Sequence, residues 1–182
     1  MKLTAALGLT ALLLAGPSEP KAELVDLRVS QVGRRVDVSF RLANGLDDEL
    51  FERIQTGLPS GFVYRFGLFR DRQRWFDHRL DRSTLQVAAM YNAVTREYLV
   101  NYKQDGRLID SRIARDRAQL ERAMTRFEAL PVFTLGDVNP RLRLLVKARA
   151  ELGSKTVMGI VPTRIATDWV RSRKFWAPPL EP

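Results

Sequence analysis

The chain switches between two hydrophobic periods. From Leu24 the apolar residues alternate: Val25, Leu27 and Val29 share one face, with Asp26, Arg28 and Ser30 on the other. Gly33 and Arg34 form a turn, and "RVDVSFRL" resumes the alternation with Val36, Val38, Phe40 and Leu42 inward. Period two with a polar face predicts a half-buried antiparallel hairpin. "NGLDDELFERIQTGLP" then changes to a spacing of four through Leu46, Leu50, Ile54 and Leu58, with Phe51 alongside. Acids Asp47 to Glu49 open that run, Glu49 and Arg53 form an i,i+4 pair, and Gly57 and Pro59 close it. These are the marks of a short amphipathic helix.

Period two returns at "GFVYRFGLF", with Phe62, Tyr64, Phe66 and Leu68 on one side. "RDRQR" reads as a turn, and further strands are expected over Trp75–Leu80, Leu85–Tyr91 and Glu97–Tyr102. Asp105-Gly106 is a strong two-residue hairpin signal. "SRIARDRAQLERAMTRFEALP" reads as a second helix, capped by Ser111, striped by Ile113, Leu120, Met124 and Phe127, and stopped by Pro131. Val132–Leu135 and "RLRLLVKARAEL" are strands; in the latter Leu142, Leu144, Val146, Ala148 and Ala150 face inward. In the closing stretch "VPTRIATDWVRSRKFW", Pro162 ends a strand "TVMGIV". Ile165 and Trp169, four apart, suit one helical turn laid against a sheet, with Asp168 as a cap or an arginine partner. Strand-helix-strand alternation is missing, which excludes a parallel doubly wound sheet. The pattern predicts a mainly β (α+β) chain: an antiparallel sandwich or curved sheet with two short amphipathic helices.

The first residues carry a different signal. "MKLTAALGLTALLLAG" has one lysine, then an apolar run from Leu3 to Ala15, too short to span a bilayer and suited to a secretory leader. The expected organisation is a leader over 1–18, with cleavage after Ser18 or Ala22, and a linker over 19–23. A single β-rich domain follows over 24–160, then a packed C-terminal segment and polar tail over 161–182. An exported, periplasmic location follows, either soluble or tethered by an uncleaved leader.

Charge and chemistry narrow the function. The formal charge is +9, with 30 Lys and Arg against 21 Asp and Glu. A positive field suits nucleic acid, an anionic lipid surface or an acidic protein, and export disfavours nucleic acid. There is no cysteine, which removes disulfides and thiolate chemistry. The single histidine, His78, has Asp77 beside it, but neighbours on a strand point to opposite faces. Ser60 in "LPSGF" lacks a nucleophile-elbow pattern, and Asp47, Asp48 and Glu49 fit a helix start better than a calcium loop. No phosphate loop, metal set or catalytic constellation stands out, so neither a cofactor nor an enzyme is expected. Most arginines occupy outward strand positions among acids, as on a solvated sheet face. The densest basic and aromatic stretches supply the candidate interaction surface: Arg70, Arg72, Arg74 and Trp75, and in the tail Arg171, Arg173, Lys174 and Trp176.

Taken in order, several segments follow the leader: "LRVSQVGRRVDVSFRLANGLDDELFERIQTGLP", "YNAVTREYLVNY", "AQLERAMTRF", "RLRLLVKARAEL" and "IVPTRIATDWVRSRKFW". Their succession resembles a bacterial exported family known as domain of unknown function 4390, over about residues 24–176. The resemblance implies a Gram-negative envelope protein with no assigned activity and no catalytic residues to carry over. In some members a neighbouring gene encodes a membrane sensor kinase, which implies such a kinase as a partner. The leading expectation is a non-enzymatic periplasmic domain that binds a protein partner or an anionic surface. Two rivals stand beside it: a carrier of an apolar ligand or lipid, lined by Phe62, Tyr64, Phe66 and Leu68, and a carboxylate-dependent envelope hydrolase.

Overall fold

The computed structural model describes residues 21–71, 77–136, 139, 141–157 and 161–177, without the side chains of 154–157 and 161–164. The leader therefore lies outside the described residues. Among the described residues eleven strands and two helices follow one another: β1 (Glu23–Val32), β2 (Arg35–Ala43), α1 (Asp48–Gln55), β3 (Ser60–Arg70), β4 (His78–Asn92), β5 (Glu97–Gln104), β6 (Arg107–Ala114), α2 (Arg117–Thr125), β7 (Arg126–Thr134), β8 (Arg143–Val157), β9 (Val161–Ala166), β10 (Val170–Arg171) and β11 (Phe175–Trp176). Among the described residues they form a three-stranded sheet, β1-β2-β7, and an eight-stranded sheet ordered β10-β8-β3-β4-β5-β6, with β9 and β11 also on β8. All pairings are antiparallel. The mainly β architecture with two helices is the one the periodicity predicts.

The sheets meet along an aromatic seam. Phe40 of β2 stacks on Phe127 of β7 at 4.9 Å and tilts onto Tyr64 of β3 at 5.0 Å. Phe66 and Tyr102 complete the cluster. The stripe Phe62, Tyr64, Phe66 and Leu68 is buried as alternation requires, and it is packed by other side chains. Two tyrosines do more than fill space. The Tyr64 hydroxyl donates to the Met124 carbonyl and the Tyr102 hydroxyl to the Ala123 carbonyl, each at 2.8 Å. These are carbonyls of the last turn of α2, which lack helical partners. At the other end, the Asp116 carboxylate accepts from the Gln119 N–H at 2.7 Å, and the Gln119 side-chain oxygen accepts from the Arg115 N–H. Helix α1 is capped likewise, by Asp47 accepting from the Leu50 N–H. The acidic run before α1 is thus a helix start.

The structure corrects several local expectations. The first strand changes face at a bulge between Val25 and Arg28, where Asp26 has φ 58°, so Leu24 is buried and Val25 lies opposite Arg41. Leu58 lies past Gly57, whose φ of 83° ends the turn after α1, and is exposed. Asp37, which the alternation of "RVDVSFRL" puts on the outward face, is buried and gripped by both Nε and Nη2 of Arg35. Trp75 and Phe76 lie outside the described residues, and the break expected between Leu80 and Leu85 is absent, since both lie in the single strand β4. Its first half pairs only with β3 and is exposed on both faces, so it lacks an alternating pattern. The Asp105-Gly106 hairpin is present, and the Asp105 carboxylate also accepts from the Thr84 N–H and the Ser83 hydroxyl, which clamps β4 beside the turn.

The largest difference is the second helix, expected from Ser111 to Pro131 and confined to Arg117–Thr125. Residues 107–114 pair with β5, and residues from Arg126 onward pair with β2. Ser111 and Ile113 therefore lie on a strand, and Phe127 joins the core from β7. Pro131 is tolerated within β7 because this is an edge strand, next to a register shift.

Removing the Tyr64 hydroxyl leaves the Met124 carbonyl buried without a partner. Tyr64→Phe should cost about 1–3 kcal/mol in urea unfolding at neutral pH. Burial holds the Tyr64 phenol well above its ordinary range, with Tyr102 adding to the rise. A raised folded-state value means that this stabilisation is complete below about pH 10 and is lost as the phenol ionises above it. The wild type should thus show an alkaline decline in stability that Tyr64→Phe reduces.

Candidate functional site

Two regions concentrate the remaining chemistry. The first is the edge of the eight-stranded sheet where the tail lies on β8. The backbone groups of Ala150 and Val146, and the carbonyl of Leu142, are met by the tail. Thr167 supplies both for Ala150: its N–H donates to the Ala150 carbonyl at 2.9 Å, and its hydroxyl accepts from the Ala150 N–H at 3.0 Å. Ser172 repeats the arrangement on Val146, at 2.8 and 3.0 Å. The Ala177 N–H then donates to the Leu142 carbonyl at 3.0 Å. Between these points Val170 and Arg171 pair with Ala148 and Lys147, and Phe175 and Trp176 with Leu144 and Arg143.

The tail thus advances five residues for each four of β8, through two pentads, TDWVR and SRKFW. One extra residue per repeat is a bulge, and the hydroxyl replaces the carbonyl that the bulge removes from reach. Val170 and Phe175, the fourth residues, pack on the core. The helical turn expected at Ile165–Trp169 does not form. Ile165 ends in β9, Trp169 is exposed beneath the Arg149 guanidinium at 4.8 Å, and Asp168 is exposed and caps nothing.

Of the candidate interaction residues, Arg171, Arg173, Lys174 and Trp176 lie on this edge, and Arg70 ends the neighbouring β3. Arg72, Arg74 and Trp75 lie outside the described residues. Arg70 is exposed at the end of β3, opposite His78. Of the tail residues, Arg171 pairs with Asp77 at 2.9 Å and Lys174 with Asp71 at 2.8 Å. Arg173 is exposed, and Trp176, also exposed, lies under the Arg143 guanidinium at 5.5 Å. The tail is therefore joined to the stretch that follows β3 through that stretch's acids Asp71 and Asp77. Lys147 adds a contact to Asp77 at 2.8 Å and lies over the Phe69 ring. Further along the face Arg65 and Arg149 both close on Glu151, at 2.6 and 2.9 Å. The hydrogen bond from Lys147 is the main cause that holds the Asp77 carboxyl below its ordinary range, against burial; Arg65 does the same for Glu151. Asp77 is thus engaged by cations and is no partner for His78, which is exposed.

The second region is a cleft of about 500 Å³ at one end of the sandwich. Leu46, Leu50, Phe62, Leu152 and Ile165 give it an apolar floor, and Arg53, Arg117, Asp48 and Glu121 a rim of both signs. The starts of α1 and α2 converge here: Arg117 pairs with Asp48 and lies over the Phe51 ring at 4.6 Å. Two of the three nearby acids already have structural duties, Asp47 as a helix cap and Asp48 as the partner of Arg117. No cluster of three His, Cys, Asp or Glu side chains that could hold a metal ion occurs among the described residues. No helix among them is long and apolar enough to cross a membrane. The sequence pointed to neither the cleft nor the pentads. The cleft assembles from six separated segments, and only the acidic run at Asp47 hinted at it. The pentads were visible as Thr167, Ser172 and Ala177 at equal spacing, a period that matches neither helix nor strand.

Comparison with known proteins then places the chain. The family model described as a domain of unknown function, DUF4390, matches residues 19–170. The chain belongs to this family. No curated protein and no solved structure matches it. The match to this domain of unknown function takes in every lining residue of the cleft and the first tail pentad up to Val170; Ser172 and the second pentad lie beyond it.

Two outcomes test the edge. Thr167→Val and Ser172→Ala each leave a β8 N–H without its acceptor, and each should lower stability by about 1–3 kcal/mol in urea unfolding, roughly additively. The depressed acids predict a pH dependence. A carboxyl with a lowered folded-state value stabilises fully above about pH 4 and loses that contribution as pH falls through the folded value. Unfolding measured across the acid range should show this decline, flattened in Asp77→Asn and Glu151→Gln.

Proposed function

We propose that this is a non-enzymatic, exported envelope domain that holds a segment of a protein partner in the cleft between the starts of α1 and α2. The observation that carries the reading is the cleft: an apolar floor of Leu46, Leu50 and Phe62 beneath a rim that offers both Arg53 and Glu121. Such a surface suits a polypeptide, whose apolar side chains fill the floor and whose polar groups meet charges of either sign. An anionic surface is the weaker ligand, because Arg65, Lys147, Arg149, Arg171 and Lys174 on the strand face and tail close on acids of the chain itself. Export rests on the leader pattern over 1–18. The rival carrier reading draws on the same apolar floor, with a small amphiphile as occupant. The aromatic stripe first considered as its lining is packed within the core.

A photo-crosslinking side chain at Arg53 or Glu121, introduced in cells, separates these readings. The expected result is a defined protein adduct that a control at Thr95 does not give. Leu46→Arg, which fills the floor, should abolish it while the fold persists by circular dichroism. An adduct indifferent to Leu46→Arg would sink the proposal. Lipid recovered by solvent extraction of the purified wild type, and lost in Leu46→Arg, would replace it with the carrier.

A further inference from the structure

The small sheet is bulged twice at one level. On one side of β2, β1 places two residues, Asp26 and Leu27, opposite Phe40 alone, between the pairs Val25–Arg41 and Arg28–Ser39. On the other side β7 places two, Glu128 and Ala129, opposite Ser39 alone, between the pairs Val38–Leu130 and Phe40–Phe127. Each bulge holds a left-handed residue that is not glycine, Asp26 at φ 58° and Ala129 at φ 48°. An alanine resists that conformation, because its Cβ crowds the following carbonyl oxygen. Bulges bend a strand and re-aim its side chains, and these two flank the centre of the sheet together. Beside them lies a pocket of about 230 Å³ that reaches Phe40 and Phe127 of the seam.

Its walls hold charges that the chain leaves unmatched. Arg41 stands directly opposite Arg126, and like charges across a strand pair repel. Arg41 is met by Asp26, at 3.7 Å. Arg28, Arg126 and Glu128 line the same pocket and make no ion pair among the described residues. Further along β2, by contrast, Arg35 and Asp37 close on each other. Ser39, opposite Arg28, adds a donor. Its oxygen accepts from the N–H of the left-handed Ala129 at 3.0 Å, which leaves the hydroxyl proton for another acceptor.

Two guanidiniums and a hydroxyl offer more donors than the two oxygens of a carboxylate use, and planar forks match phosphate oxygens. Glu128 repels a bare phosphate but accepts from an ammonium attached to one. The volume is below the roughly 300–1,000 Å³ of pockets for drug-sized molecules, so the occupant is a small group. We propose that this pocket binds a phosphoethanolamine group, with the phosphate between Arg28, Arg126 and Ser39 and the ammonium on Glu128. The group is either a free solute or the head of a lipid. The pocket shares no lining residue with the cleft, so the site stands whatever the cleft holds.

Titration calorimetry of the full chain tests it, with O-phosphoethanolamine and inorganic phosphate as probes at low ionic strength. Phosphoethanolamine should bind roughly tenfold or more tightly than phosphate, and Arg28→Gln and Arg126→Gln should each weaken it by about tenfold or more. Glu128→Gln should erase the preference without weakening phosphate. All three positions are exposed, so the variants should keep the circular dichroism of the wild type. Flotation with vesicles identifies the source. Vesicles of phosphatidylethanolamine in phosphatidylcholine that lift the wild type, but not Arg126→Gln, assign the lipid head group; binding of the soluble probe alone assigns a free solute. Phosphatidylcholine by itself should not bind, since its quaternary nitrogen has no proton to give Glu128. The proposal is overturned if neither phosphoethanolamine nor the mixed vesicles bind, if the arginine variants bind as the wild type does, or if the preference survives Glu128→Gln.

Discussion

The contact of Phe40 and Phe127 with Tyr64 and Phe66 is the interaction from which the rest of the molecule hangs. It presses a small sheet onto a large one, and it does so with aromatic side chains drawn from three strands far apart in the chain, β2, β3 and β7. Because Tyr64 and Tyr102 end in hydroxyls, the same core reaches out to hold the last turn of α2. Helix α2 in turn leads straight into β7 without a loop, and so delivers Phe127 back to the seam. Packing and hydrogen bonding close a loop here, each fixing the geometry that the other needs.

Outside the core, the structure is organised by what its strands leave unpaired. The edge of β8 is closed by a tail that runs one residue long per repeat and uses hydroxyls to make up the difference. The charges on the neighbouring face are resolved in the same region, with Asp71, Asp77 and Glu151 each taking cations from β3, β8 or the tail. A basic composition therefore does not translate into a uniformly basic surface. Among the described residues, the strand pairing leaves a cleft framed by the starts of α1 and α2.

Much of the fold was legible in the residues. Alternation in "RVDVSFRL" and "GFVYRFGLF", the acid-led run into Leu50 and Ile54, and the Asp105-Gly106 turn each reported a local preference that the tertiary structure kept. The misreadings share a cause. Ser111 to Pro131 contains enough apolar residues at helical spacing to suggest one helix. Pairing of 107–114 with β5 and of 126–134 with β2 outweighed that preference at both ends. Asp37 was misplaced for a similar reason, since nothing in its own neighbourhood announces that Arg35 will grip it in a buried site.

By itself the sequence determined the class of fold, the number of helices, the inward faces of the central strands and the family to which the chain belongs. Periodicity and turn chemistry are local, and they survive folding wherever a segment has one buried face. Only the tertiary structure decided that the tail would be a bulged edge of the sheet, that its cations would meet acids from the β3–β4 connection, and that the starts of two helices would frame a cleft. Those outcomes depend on which backbone groups are left without partners once the large sheet has formed, and no local pattern records that.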